Sequence, residues 1–369
     1  MWGKSTAMIV HSRSPFNAEP YRSALARDEI TPLDTFYCRN HGLVPQISTH
    51  DWSLQVDGLV NTPLTLSFDE LTSSFDPHTV IATLQCAGNR RAGFNEIRPV
   101  VDEDPWGSGA ISTAEWFGVR LADVLAAARA SRGEGLQAAF NAPDMSTLAV
   151  PVQPFGGSIS MAKAMSEEVL LAWAMNGQAL PLIHGGPVRV VVPGYIGARS
   201  VKWINAITVQ EAPSQNYFQA VAYRILPADC DPHSVAPGDG VSLASVALNC
   251  DMLVPDDGAE VAAGPLDIRG YAFVGDGVGI ARVEVSLDEG STWRQATLEP
   301  ARSPWAWRHW SLTVDTRPGP LTVTARAWDT TGATQPQSAA PLWNPRGYAN
   351  NSWARCRVKV TKPGNPAPR

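Results

Sequence analysis

The chain has 369 residues, 44% hydrophobic and 17% charged, a length that exceeds one comfortable core and favours two domains or one large domain with an appended module. Its net charge of −6 argues against general nucleic-acid binding, because a phosphate-tracking surface needs a basic excess; any anion site is therefore local. No run of about 18 apolar residues is present, so no membrane-spanning helix is expected.

In chain order, the opening MWGKSTAMIVHSRSPFNAEP carries only a short apolar patch, without a twin arginine or a small-residue cleavage site, and predicts a cytoplasmic protein. Next comes TLQCAGNRR, from Thr83 to Arg91, in which an apolar strand-like run ends at Cys86. Ala87-Gly88-Asn89 supplies a flexible turn whose N–H groups can face a ligand. Arg90 and Arg91 are expected to lower the thiol pKa and favour the thiolate. In RLADVLAAARA, Arg120 to Ala130, the spacing of Leu121, Val124, Leu125 and Ala128 predicts one apolar helix face. VRVVVPG, Val188 to Gly194, predicts a short buried strand stopped by Pro-Gly.

The pattern changes near residue 240. LPADCDPHSVAPGDG, Leu226 to Gly240, is rich in Pro, Asp and Gly and predicts a linker. Beyond it, ARVEVSLDEGSTWRQATL and GPLTVTARAWDTTG alternate apolar and polar residues around turns, which predicts an antiparallel sandwich. The tail TKPGNPAPR is expected to be frayed. The predicted fold class is thus α+β, with a mixed α/β domain over 1–240 and an immunoglobulin-like β-sandwich over 241–365.

The five cysteines, Cys38, Cys86, Cys230, Cys250 and Cys356, form no C-x-x-C pair, and the odd number suits individual thiols in a reducing compartment. Three chemistries compete for Cys86. A thiol hydrolase needs a histidine base, for which His184 is a candidate, but no orienting third group is evident. A zinc site needs further ligands at ligand spacings, which the cysteines and histidines do not show. The third is a single thiolate holding a metal whose other ligands come from a cofactor.

TLQCAGNRR resembles the cofactor segment of the sulfite oxidase family of molybdenum enzymes. SPFNAEP, FYCRNHGLVP, HGGPVRVVVPGYIGARSVKWI, GYAFVGDGVGIARVEVSLDEGSTW and WNPRGYANNSW resemble further family segments, in family order. The likeness covers most of the chain and is greatest to the haem-free, plant-type form. It implies a molybdenum ion held by molybdopterin and by Cys86, with soft sulfur ligation suited to a redox metal. It assigns Phe36, Arg39, Asn40, His41, Asp144, His184, Arg189, Ser200, Val201 and Lys202 to the pterin and its phosphate, with turn capping as the alternative for Asp144. It assigns Arg39, Arg91 and Arg346 to a substrate anion, Tyr223 to a place beside the metal, and Lys202 and Trp203 to the shape of the site.

The implied activity is oxidation of sulfite to sulfate by oxygen-atom transfer, with electrons leaving to oxygen or cytochrome c. No haem is expected. Arg90 is left to the surrounding structure or the cofactor shell. Two departures stand out: Ala222 where the family often has an acidic residue, and Pro345 where leucine is commoner. The sandwich resembles the family's dimerisation domain, and a homodimer is expected. Seven of the thirteen tryptophans lie in it, available to an interface or to the core. A chain ending near residue 240 is expected to bind cofactor but to lose Arg346 and the dimer contact. Nitrate reductase chemistry and non-catalytic cofactor binding are the alternatives.

Overall fold

The structure, a computed structural model, describes residues 1–362; the proline-rich tail lies, from residue 363 on, outside the described residues. The first half is built on two five-stranded sheets. One runs Gln178–Ala179, Leu170–Met175, Ile111–Arg120, Pro77–Gln85, with Arg189–Val191 also paired to Leu170–Met175. The other runs Leu64–Ser67, Ser53–Gly58, Ala206–Gln210, Gln137–Ser146, Gln153–Ser160, and its Ser53–Gly58 and Ala206–Gln210 strands are parallel. Threonine and branched aliphatics make Pro77–Gln85 (PHTVIATLQ) a natural strand. Its last four residues are buried, so the chain delivers Cys86 into the interior.

The helix predicted over 120–130 occupies only Leu121–Ala127, and it buries Leu121, Val124 and Leu125, with Ala128 buried just beyond it. It stops because Arg129 turns left-handed (φ 51°) and the Ala130 N–H bonds back to the Leu125 carbonyl, a helix-ending turn. This half is therefore richer in strand than the sequence pattern suggests, and its helices are short. The predicted Val188–Gly194 strand is likewise trimmed to Arg189–Val191. The Val192 N–H leaves the ladder to bond Ser200 Oγ at 3.0 Å.

The second half is a sandwich of two sheets. Asn249–Val254, Gly264–Phe273, Arg308–Thr316 and Thr297–Leu298 form one; Glu260–Ala262, Ala354–Thr361, Gly319–Asp329, Ile280–Ser286 and Arg294–Gln295 form the other. Inward alternation of Ile268, Val283, Val323, Ala325 and Cys356 fills the space between them. The predicted hairpin after Ile280 divides at its second arm: Arg294–Gln295 stays in its sheet, while Thr297–Leu298 crosses to Arg308–Thr316.

The linker is a closed loop. Arg224–Ile225 pairs with Val241–Ser242 at its base, and the Arg224 guanidinium donates to the carbonyls of Gly238 at 2.6 Å and Gly240 at 2.8 Å. Val246, Leu253, Tyr271, Phe273, Trp307 and Tyr348 from beyond it share one core with Val190, Ile204 and Phe218. That continuity argues against a chain ending near residue 240 keeping the cofactor site intact, because a cut there opens the shared core.

The tryptophans divide by role. Trp310 lies in the sandwich core. Trp307 Nε1 donates to the Glu29 carbonyl at 2.9 Å, and Trp343 Nε1 to that of Arg98 at 2.8 Å, so both knit the halves together. The Trp305 main chain does the same through Thr83. Trp293, Trp328 and Trp353 flank the Arg326 guanidinium on the surface. All five cysteines are free. Among the described residues no helix is long and apolar enough to cross a membrane.

Candidate active site

Where the strand ends, the chain turns sharply. The Cys86 N–H bonds the Ala110 carbonyl at 2.9 Å, the Asn89 N–H returns to the Cys86 carbonyl at 3.0 Å, and Arg90 is left-handed (φ 65°). The Cys86 thiol receives the Gly88 N–H at 3.4 Å. Burial raises the thiol pKa, while Arg91 and Arg39 pull it back down. The expected pair of Arg90 and Arg91 is thus corrected: Arg90 has turned away from the thiol, and Arg39 has taken its place.

The two adjacent arginines part completely. Arg90 donates to Asn249 Oδ1 at 2.9 Å and to the Ser352 carbonyl at 2.8 Å, and pairs with Asp251 at 3.2 Å, all in the second half. Arg91 lies across the turn, bonding the Arg346 carbonyl at 3.0 Å and the Asp104 carbonyl at 2.8 Å. Room for it comes from two glycines. A Cβ on Gly88 would stand 2.6 Å from Arg91 Nη2, and one on Gly347 2.7 Å from Arg91 Cγ.

Cys86 lines a partly enclosed cavity. Its walls include Phe36, Arg39, Asn40, His41, Asp144, His184, Arg189, Ser200, Lys202, Trp203 and Tyr223, drawn from segments far apart in the chain. Arg189 acts as a clamp, donating to the carbonyls of His184 and Ser200, each at 2.8 Å. Burial brings its pKa down to about 10. Lys202 donates to the Asn40 amide oxygen and to the Arg39 carbonyl at 3.1 Å, and lies over the Trp203 ring. Burial and the neighbouring Arg189 lower its pKa. Asp144 sits where the Gln137–Ser146 strand slips register, in no turn, so the capping alternative falls. Burial raises its pKa against the pull of Lys202, and its Oδ1 is buried without a partner.

His41 and Tyr223 face each other across the cavity wall, Nε2 to Oη 2.6 Å. His41 is stacked on Phe155, and burial with Arg39 and Lys202 holds its pKa well below the ordinary value. Burial raises Tyr223. A one-turn π-helix, Phe218–Ala222, precedes Tyr223 and sets the angle at which its ring enters. His184 meets Lys4 Nζ at 2.7 Å through its Nε2, so it is engaged by the N-terminal segment rather than aimed at Cys86 as a base.

An outer cavity adjoins the first. Arg39, His41 and Tyr223 line both, and Arg346, Tyr348, Glu103, Tyr217 and Ala222 line the outer one. Glu103 pairs with Arg91 at 3.3 Å and Arg346 at 3.7 Å.

The family model "Oxidoreductase molybdopterin binding domain" matches residues 41–218, and "Mo-co oxidoreductase dimerisation domain" matches 242–361. Sulfite oxidase of Arabidopsis thaliana is 36% identical, over 96% of this chain and 94% of its own length. The chain belongs to the sulfite oxidase family of molybdenum-cofactor enzymes. Mitochondrial sulfite oxidase of Mus musculus is 40% identical over 96% of this chain, and the chain spans 66% of that protein's length. The structure of the sulfane dehydrogenase SoxCD from Paracoccus pantotrophus superposes with a TM-score of 0.81 at 29% identity, covering 94% of this chain and 85% of that one. Plant nitrate reductases match at lower identity than the Arabidopsis protein.

The cavity suits the family's cofactor. Arg39, Arg189 and Lys202 face a single wall carboxylate, Asp144, an imbalance that an anionic phosphate and dithiolene would offset. The unpartnered Asp144 oxygen awaits a donor such as a pterin N–H. Two residues assigned by resemblance stand elsewhere. Val201 is fully buried in the core, its carbonyl accepting from the Val190 N–H, and it lines neither cavity. Arg91 also lines neither; it lies behind the outer wall with Tyr348 over its guanidinium. Arg346 belongs to the outer cavity alone. Sequence reasoning missed Lys4, Phe155 and Glu103, because single residues outside the recognised segments carry no pattern until the fold gathers them, and it passed over Tyr348 although WNPRGYANNSW contains it.

Proposed function

We propose that this protein oxidises sulfite to sulfate at a Cys86-ligated molybdenum–molybdopterin centre and passes the electrons to an external acceptor, oxygen or a cytochrome. The observation that carries the reading is the convergence of Cys86, Arg39 and Tyr223 on one cation-rich cavity. When bound, the molybdenum cofactor supplies a transferable oxygen and takes up two electrons. Cys86 would hold the metal; His184, Arg189, Ser200 and Lys202 would hold the phosphate end, and Asp144 and Asn40 the pterin edge.

The remaining work falls to the outer residues. Arg39 and Arg346 grip the oxygens of a small anion from two sides and leave its sulfur free to face inward. Arg91 adds positive potential from behind the wall without reaching the anion. Tyr223 and His41 share a proton. With His41 Nε2 unprotonated Tyr223 donates to it; with Nε2 protonated, His41 donates and the phenol proton turns into the cavity. A neutral imidazole, kept so by burial, makes both arrangements accessible near pH 7. Surrounding apolar rings keep water sparse and strengthen each of these contacts.

The dimerisation-domain match supports a homodimer built through the sandwich, for which an immunoglobulin-like description fits the two-sheet form. Free cysteines support a reducing, cytoplasmic setting. The test is direct. Purified protein should contain about one molybdenum per chain and be reduced by sulfite, with oxygen, ferricyanide and cytochrome c then tried as acceptors. Cys86→Ser should fold normally and fail to turn over. A fully active Cys86→Ser variant removes the ligand assignment, and nitrate reduction in place of sulfite oxidation moves the protein to the other chemistry of its relatives.

A further inference from the structure

Glu103 extends its carboxylate between two guanidinium groups, 3.3 Å from Arg91 Nη1 and 3.7 Å from Arg346 Nη1, with its side chain 16% exposed. The loop that carries it is fixed on both sides. Asp102 is left-handed (φ 58°), the Asp104 carbonyl accepts from Arg91 Nη1 at 2.8 Å, and the Asp104 carboxylate accepts from Asn17 Nδ2 at 2.9 Å. Arg346 is tied from its far side by donation to the Pro232 carbonyl at 3.0 Å, while its Nε is buried and unpartnered. Glu103 shares the outer cavity with Tyr223 and with Arg39 and Arg346, the two guanidiniums assigned above to the substrate anion.

A carboxylate and a sulfur oxyanion offer a guanidinium the same thing, charged oxygens at the spacing of its N–H fork. We propose that Glu103 is a specificity-determining residue of this site, a built-in anion that neutralises Arg91 from the cavity side and satisfies Arg346 while no substrate is present, and that competes with an entering oxyanion for Arg346. This rests on the sulfite reading. Without Glu103 the empty site would leave largely buried guanidiniums unpaired, which is costly. With it, each added negative charge on the guest is opposed at close range. Sulfate, a dianion throughout the neutral range, is therefore loosened more than sulfite, part of which is still the monoanion hydrogen sulfite near pH 7, and this favours substrate over product.

Glu103→Gln keeps the shape and removes the charge. Sulfate binding to the purified holoenzyme, measured by titration calorimetry, should tighten about tenfold, and sulfate inhibition should strengthen in step while the KM for sulfite falls less. Glu103→Asp withdraws the carboxylate by one methylene and should tighten sulfate binding about two- to threefold, which keeps the test available if the glutamine variant does not fold. A residue that merely props the arginines would give the opposite sign, weaker sulfate binding in both variants. Unchanged or weaker sulfate binding in a folded variant overturns the proposal. If the wild-type protein does not oxidise sulfite yet Glu103→Gln binds sulfate more tightly, the sulfite reading fails and the role of Glu103 stands.

Discussion

Arg90 and Arg91 are consecutive, and the left-handed backbone at Arg90 sends their side chains to different tasks. Arg90 spends its charge on Asp251, which is buried, so Arg90→Met leaves that carboxylate without its paired cation and with only the Ser108 hydroxyl and the Met252 N–H as donors. A loss of about 3 kcal/mol is expected, read from urea unfolding, with little change in activity per bound molybdenum. Arg91→Met should do the reverse, raising the sulfite KM about tenfold while molybdenum content stays near wild type. Equal effects of the two variants on both readouts would contradict this division. A third residue gives a pH prediction. His309, largely buried, has its pKa lowered to about 4, chiefly by burial. The unfolded chain takes up a proton near pH 6.5 where the folded one does not, so stability is full above that value and falls as pH drops toward 4. His309→Gln should flatten the acid side of the unfolding profile by about 1.4 kcal/mol per pH unit within that window, relative to wild type.

At the scale of elements, the decisive piece is the turn from Cys86 to Arg91, because it joins a buried strand end to a guanidinium that needs space. Gly88→Ala places a methyl 2.6 Å from Arg91 Nη2, and the backbone there allows no easy retreat with Gly347 on the other side of the same side chain. Overpacking of this kind costs about 1–3 kcal/mol. The displaced guanidinium should also raise the sulfite KM toward that of Arg91→Met, which kinetics at equal molybdenum loading would register. A normal KM would mean that Arg91 does not act from its position behind the wall.

Across the whole molecule, the two halves share a core and a set of polar ties, so they should unfold together. A chain ending at residue 240 loses the partners of Asn89, Arg90 and Arg91 at Tyr271, Asn249 and Gly347. It should be aggregation-prone and fail to retain molybdenum, as size-exclusion chromatography and elemental analysis would show. A soluble, molybdenum-loaded fragment would restore the view of an independent first domain.

Local chemistry made much of this legible in advance. Alternation beyond residue 240 dictates strands because a half-buried sheet needs a period of two, and a helix face at Leu121, Val124 and Leu125 follows from 3.6 residues per turn. The long motifs around Cys86, Arg39 and Lys202 carried the family and most of the cavity wall. Helix length escaped, since the Ala130 N–H can close on Leu125 only once Arg129 finds a left-handed turn. So did Glu103, whose meaning lies in two guanidiniums, 12 and 243 residues away, that only folding brings to either side of it. Sequence by itself determined which residues could bind a metal and an anion, because residue type sets that chemistry. Tertiary structure alone decided which of them face the cavity, since burial, neighbouring charge and hydrogen-bond partners come from segments that meet only in the folded chain.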